Sequence, residues 1–69
     1  MKQALIHKLG ETYLTVDITG VTHAQFVPSA QFTSWKMLEE HFLRMGAIKA
    51  ALDKAHQEVE KNGTAHLAY

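Results

Sequence analysis

Five histidines in a chain of 69 residues make metal binding the first chemistry to consider. Histidines that share a metal on a helix are usually three or four residues apart, and no two histidines here have that spacing. Asp53, His56 and Glu60 come nearest, because their intervals place an imidazole and two carboxylates on one helix face. An exposed pair between His56 and Glu60 explains the same spacing without a metal. These three residues are therefore the metal-ligand candidates, although we expect no cofactor.

Side chains capable of catalysis are present, but not in patterns that bring them together. Ser29 and Ser34 lie in no nucleophile-elbow motif, and no glycine-rich loop precedes a helix where phosphate could bind. The absence of cysteine excludes disulfides, thiolate zinc sites and thiol nucleophiles. An acid–base site built from Glu11, Asp17 or His23 remains an alternative. A small enzyme or metal-binding protein is thus one function class left open, and a non-catalytic protein is our expectation.

The charge distribution bears on nucleic-acid binding. Seven basic and seven acidic residues give a net charge of zero, whereas a protein that binds phosphates normally carries a basic face. Residues 45–63 have the alanine-rich character of the first helix in a helix-turn-helix motif. No glycine follows where the turn should come, at residues 55–57, and the remaining EVEKNG is too short and acidic for a recognition helix. A nucleic-acid-binding regulator therefore stays the alternative, not the leading class.

The apolar runs and the length of the chain bear on its cellular location and on its need for a partner. No apolar run approaches the ~20 residues of a membrane span. The opening MKQALIHKLG is interrupted by lysine and histidine, so it does not resemble a signal peptide. We therefore predict a cytoplasmic protein with no membrane partner and one domain, residues 1–69. A chain this short buries only ~60% of its unfolded surface, so a partner chain would help to stabilise it.

Alternating side chains in the first third of the sequence predict strands. Residues 4–9 (ALIHKL) are followed by a Gly-Glu turn and then by residues 12–18 (TYLTVDI). One face of the latter carries Leu14, Val16 and Ile18, and the other carries Tyr13, Thr15 and Asp17. Residues 21–27 (VTHAQFV) predict a third strand, and residues 28–33 are interpreted as a link into helical sequence. The predicted sheet is an antiparallel meander of about three strands.

The second half of the chain predicts amphipathic helices. Thr33 or Ser34 can cap the first free amides. Apolar residues then recur at intervals of three and four in two stripes, which are Trp35, Leu38, Phe42, Met45 and Ile48, Leu52, Ala55, Val59. Gly63 stands where a helix terminator is expected, and the tail at residues 64–69 could form a last strand or fray.

Whether one helix runs through Gly46 depends on geometry. The short interval from Met45 to Ile48 rotates the second stripe roughly 70° from the first. One helix over residues 34–61 would be ~42 Å long, whereas a compact domain of this size has a diameter of roughly 28 Å. The usual turn residues are missing around Gly46, and a glycine within a helix costs only ~1 kcal/mol. We predict an α+β fold with two helices or one kinked helix, broken near Gly46.

Apolar residues near the link between sheet and helix, and others outside the two stripes, suggest a function. Phe26, Phe32 and Trp35 surround the link between sheet and helix, and aromatic residues often anchor interfaces, although a small core uses them first. Met37 and Leu43 lie off the first stripe, so something besides the sheet should cover them. We predict an interface of Phe32, Trp35, Met37 and Leu43. The leading hypothesis is a non-catalytic protein-interaction module or small regulator or inhibitor, acting as a homodimer or with another protein.

Overall fold

Within the described residues, the chain forms four strands and two helices, which together make an α+β fold. The structure, a computed structural model, describes residues 2–18 and 30–69. In the order of the sheet, β3-β2-β1-β4, every neighbouring pair is antiparallel. The elements along the chain are β1 Gln3–Leu9, β2 Thr12–Asp17, β3 Ala30–Phe32, α1 Trp35–Arg44, α2 Lys49–Asn62 and β4 Thr64–Ala68.

The predicted β1–β2 hairpin is confirmed. Its two strands pair from Ala4 opposite Asp17 to Leu9 opposite Thr12, so the two-residue turn lies at Gly10 and Glu11. Period-two alternation on both strands puts their side chains on two defined faces of the sheet. The hairpin is therefore formed by residues that are close together in the sequence. The other edge of β1 pairs with β4.

The third and fourth strands differ from the prediction. The strand expected at residues 21–27, and Phe26 within it, lie outside the described residues. Residues 30–32, interpreted from sequence as part of a link, form β3, which pairs with β2 from Tyr13 to Thr15. The tail forms β4 against β1, so the described part of the chain contributes four strands to the sheet where about three were expected. A three-residue strand has too short a pattern to be recognised without its partner strand.

The two faces of β2 have different surroundings. Tyr13 and Thr15 share a face with Ala4 and Ile6 of β1, and this face packs against the helices. The alternation predicted for β2 is confirmed. The helices, however, cover the face of Tyr13 and Thr15 and not the more aliphatic face of Leu14 and Val16. Both helices contribute to that one core: its buried apolar members there are Leu38, Phe42, Leu52, Ala55 and Val59.

The break near Gly46 is confirmed, and its cause is a Schellman motif at the end of α1. The Ala47 N–H donates to the Phe42 carbonyl at 2.9 Å, and the Gly46 N–H donates to the Leu43 carbonyl at 3.2 Å. Gly46 has φ of 108°, which an L side chain rarely adopts. Ala47 and Phe42 are both buried, as the apolar contact of this motif requires. The radius of gyration, 11.1 Å, fits two short helices and not one long helix.

Candidate functional site

The candidate site is a group of apolar side chains in the last turn of α1 and on the connection to α2. Leu43, Met45 and Ile48 are 41%, 48% and 69% exposed, and they lie within six consecutive residues. We call these three residues the turn surface. Loops between helices are normally polar where they meet water, so three large apolar side chains on one short turn are unusual.

The Schellman motif explains why these side chains are exposed. Met45 and Ile48 were predicted as the last member of the first stripe and the first member of the second. Met45 is instead the C-cap of α1 and Ile48 the N-cap of α2, so neither lies within a helix. The helical periodicity that would bury Met45 and Ile48 with the two stripes therefore ends at the break. The sequence predicts the break near Gly46 but keeps both residues in apolar helix stripes, because the exposure of the two caps follows only from the hydrogen bonds of the motif.

The four predicted interface residues do not form one surface. Phe32 is only 8% exposed and packs in the core, the alternative that the sequence leaves open for the aromatic residues. Trp35 is half-buried and stacks on His56, with ring centroids 4.4 Å apart. Met37 is 52% exposed, and Thr33 Oγ1 donates to its sulfur at 3.3 Å. Met37 and Leu43 are six residues apart on α1, hence ~120° apart around the helix. Of the four, only Leu43 belongs to the turn surface.

The metal-ligand candidates have other partners. His56 Nε2 lies 3.3 Å from Glu60 Oε1, the pair that the sequence suggested. Asp53 lies 3.5 Å from Lys49, while Glu60 accepts hydrogen bonds from Lys8 and Tyr13. Within residues 2–18 and 30–69, no three histidine, aspartate or glutamate side chains are grouped to hold a metal ion.

Glu60 instead joins α2 to the sheet. Tyr13 OH donates to Glu60 Oε1 at 2.5 Å, and Lys8 of β1 donates to the other carboxylate oxygen. The hydrogen bonds from Lys8 and then Tyr13 lower the pKa of the Glu60 carboxyl from 4.5 to about 2. Burial and the bond to Glu60 raise the pKa of the Tyr13 phenol. Trp35 packs edge-on against Tyr13, at 5.4 Å between centroids, so the ring cluster continues into α1.

A depressed carboxyl pKa predicts a specific loss of stability in acid. Because the folded pKa of Glu60 lies below its unfolded value, its contribution is complete above pH 4.5 and disappears as the pH falls towards about 2. The free energy of unfolding of Glu60→Gln should therefore be lower than wild type at pH 7, and the two should converge near pH 2. Urea unfolding at a series of pH values measures this difference. Glu40→Gln, on an exposed part of α1, is the control and should match wild type throughout; a parallel pair of wild-type and Glu60→Gln curves would contradict the assignment.

A small cleft lies between the sheet and the end of α1. Its volume is ≈ 230 Å³, below the ~300–1,000 Å³ typical of sites for drug-sized ligands. The cleft is lined by Ala4, Thr15, Asp17, Ala30, His41, Phe42, Met45 and Tyr69. Burial and then the nearby Asp17 carboxylate raise the pKa of the Tyr69 phenol. The cleft thus offers mixed polar and apolar walls at one end of the turn surface, since Met45 belongs to both.

The acid–base alternative is not assembled by the described residues. Glu11 precedes β2 and Asp17 ends it, so the strand separates them by about 20 Å. His23 lies outside the described residues. Asp17 meets His41 and Tyr69 at the cleft instead, a grouping that the sequence did not suggest because these residues come from three distant parts of the chain.

Comparisons with known proteins found no relative of this chain. No protein family model, curated protein or solved structure matches the chain. In the part of the chain that the structure describes, no helix is long and apolar enough to cross a membrane.

Proposed function

We propose that this chain is a non-catalytic, cytoplasmic protein-interaction module that acts as a homodimer and binds a further protein through its turn surface. The observation that carries the proposal is the exposure of Leu43, Met45 and Ile48 on one helix–helix turn. Burial of apolar surface stabilises a complex by ~25 cal/mol per Å², so a partner that covers these three side chains gains from each of them.

The rigidity of the turn supports this role. The two Schellman hydrogen bonds and the buried Phe42–Ala47 contact hold the backbone that carries the turn surface. A preformed surface loses less conformational entropy on binding than a flexible one, which favours affinity. The turn surface is therefore suited to recognition of an apolar partner surface by a fixed shape.

The other two function classes have less support. Two lysines that could contact phosphates are paired with carboxylates, Lys8 with Glu60 and Lys49 with Glu39. Metal binding would require Glu60 to leave the hydrogen bonds that join α2 to the sheet, and His56 to leave its pair with Glu60. Cytoplasmic location rests on the absence of cysteine, which suits a reducing compartment.

Photo-crosslinking in the cells that produce the protein tests the proposal. A benzoylphenylalanine placed at position 43, 45 or 48 should give a discrete crosslinked product, because each side chain would lie inside the interface. Position 11 is the matched control, since Glu11 is an exposed polar residue of the β1–β2 turn, outside both helices and β4. The mass of the product distinguishes a second copy from a different protein. The proposal fails if the turn positions give no discrete product, or give the same products as the control.

A further inference from the structure

The outer edge of β4 has backbone groups that no residue within 2–18 and 30–69 pairs with. Lys2 and Tyr69 exchange two hydrogen bonds of 2.9 Å across the β1–β4 ladder, and the Lys8 N–H donates to the Gly63 carbonyl. Because bonding alternates along an antiparallel pair, Ala65 and Leu67 direct their backbone groups to β1. The N–H and C=O groups of Thr64, His66 and Ala68 therefore point away from the sheet. β4 is the last strand of the sheet on this side, and no described residue bonds to that edge.

This edge carries none of the features by which proteins block strand pairing. The strand, TAHLA, contains no proline and no lysine, and its pairing with β1 has no bulge. The side chains of the three outward-bonding residues are exposed and short or of moderate size. An unblocked edge of this kind is a template for another strand.

We infer that two copies of this chain pair through their β4 edges, antiparallel and about a two-fold axis at His66. The inference rests on the proposed homodimer and names the surface that forms it. In this register Thr64 faces Ala68 of the second copy, and His66 faces its own equivalent. All three residues then use both backbone groups, which gives about six hydrogen bonds; a shift of register to either neighbouring two-fold position leaves about four. The result is one continuous sheet with all four helices on the same side.

The α2 helices fit beside each other in this arrangement. α2 packs over β4 and β1, so its axis lies near the boundary of these strands. With strands ~4.8 Å apart, the two α2 axes would be about 10 Å apart, within the usual range for packed helices. The estimated spacing is therefore compatible with the two α2 helices lying side by side over the joined sheets.

Charges on α2 are self-complementary across the two-fold axis. His56 faces α1, where it stacks on Trp35. Lys54 and Glu58 lie two positions to either side of His56, hence ~200° around the helix from it, on the flank directed beyond β4. The helix rises ~1.5 Å and the strand ~3.3 Å per residue, so the helix residue level with His66 is six or seven positions before Gly63. That residue is His56 or Gln57, which places Lys54 of each copy close to Glu58 of the other. Neither has an ion pair with a described residue.

A proline at position 66 tests the edge directly. The His66 N–H points away from β1, so His66→Pro removes no hydrogen bond within the domain but two from the dimer. By light scattering on a sizing column over a range of concentrations, wild type should have twice the mass of the 7.8 kDa chain. His66→Pro should raise the dimer dissociation constant by about 10- to 100-fold, while His66→Ala, which keeps the N–H, should stay close to wild type. Circular dichroism confirms that each variant is folded.

Exchanging the charges on α2 tests the same dimer without any change in β4. Lys54→Glu and Glu58→Lys should each raise the dissociation constant by about 2- to 30-fold, and the double variant should restore it, because both surfaces come from the same sequence. Leu43→Glu/Ile48→Glu should leave the dimer intact. A wild-type mass of 7.8 kDa at every concentration overturns the inference. So does a dimer that survives His66→Pro but is lost in Leu43→Glu/Ile48→Glu; that outcome leaves the turn surface as an interface and so upholds the proposed function.

Discussion

Replacing Leu52 with alanine is expected to lower the free energy of unfolding by about 2–5 kcal/mol. Leu52 is 0% exposed and lies in the core cluster between α2 and the sheet, so its loss leaves a cavity as well as removing buried surface. A 69-residue domain has roughly 3–10 kcal/mol of stability in total. We therefore expect Leu52→Ala to lose a large fraction of the total stability and to unfold at a clearly lower urea concentration than wild type.

The matched control is Ile48→Ala, four residues earlier. The sequence places Ile48 and Leu52 in the same apolar stripe, yet Ile48 is 69% exposed at the start of α2. Its truncation should change the free energy of unfolding by no more than about 0.5 kcal/mol. Urea unfolding at a fixed protein concentration, followed by circular dichroism, measures both. Similar losses in the two variants would mean that α2 begins before Ile48 and that the turn surface is part of the core.

The second large effect is expected at Gly46. Its φ of 108° lies where an L side chain is strained, so Gly46→Ala should lower the free energy of unfolding by about 1–3 kcal/mol. A Cβ built at this position has no atom within 4 Å, so the loss would come from the backbone and not from a collision. In a continuous helix the same substitution would stabilise the protein by up to ~1 kcal/mol. The sign of the change therefore distinguishes the two structures.

D-alanine at position 46 is the sharpest control for this effect. The D residue adds the same methyl group but prefers positive φ, so it should retain or increase the wild-type stability. A chain of 69 residues can be made by chemical synthesis and ligation, which allows the substitution. Thermal unfolding of the L and D variants should bracket that of wild type. Equal destabilisation by both would contradict the backbone explanation.

Local patterns of the sequence predicted the elements that depend on local interactions. The β1–β2 hairpin follows from two alternating segments and a two-residue turn. Leu38 and Phe42 of the first stripe, and Leu52, Ala55 and Val59 of the second, are buried as the helical periodicity predicts. Ser34 caps α1 as expected, by accepting a hydrogen bond from the Met37 N–H at 3.3 Å. Each of these features involves residues close together in the chain.

Features that depend on distant residues were less accessible. β3 has three residues, and only its pairing with Tyr13 and its neighbours identifies it as a strand. Residues 64–69 could be a strand or a frayed end because β4 needs β1, about sixty positions earlier, to form. The sequence pattern around Phe32 is compatible both with a position in the core and with a position at an interface. Its position opposite Tyr13 in the sheet decides for the core.

The candidate site shows the same limit. The sequence places Met45 and Ile48 in two apolar helix stripes, but the Schellman motif ends the helix between them. The geometric mismatch between the two stripes was the correct indication of this break. Met45 and Ile48 are exposed because of the break, whereas Leu43 is the one residue of the turn surface that the sequence proposes for an interface.

Crosslinking from position 48, in the presence and absence of a charge at position 43, tests the turn surface most directly. With benzoylphenylalanine at position 48, we predict a discrete product in an otherwise wild-type chain and its loss with Leu43→Glu, because a carboxylate cannot be buried in an apolar contact without a large cost. Glu11→Lys, in the exposed β1–β2 turn, should leave the product unchanged. A product that persists with Leu43→Glu, or disappears equally with Glu11→Lys, would contradict the assignment of Leu43, Met45 and Ile48 as a binding surface.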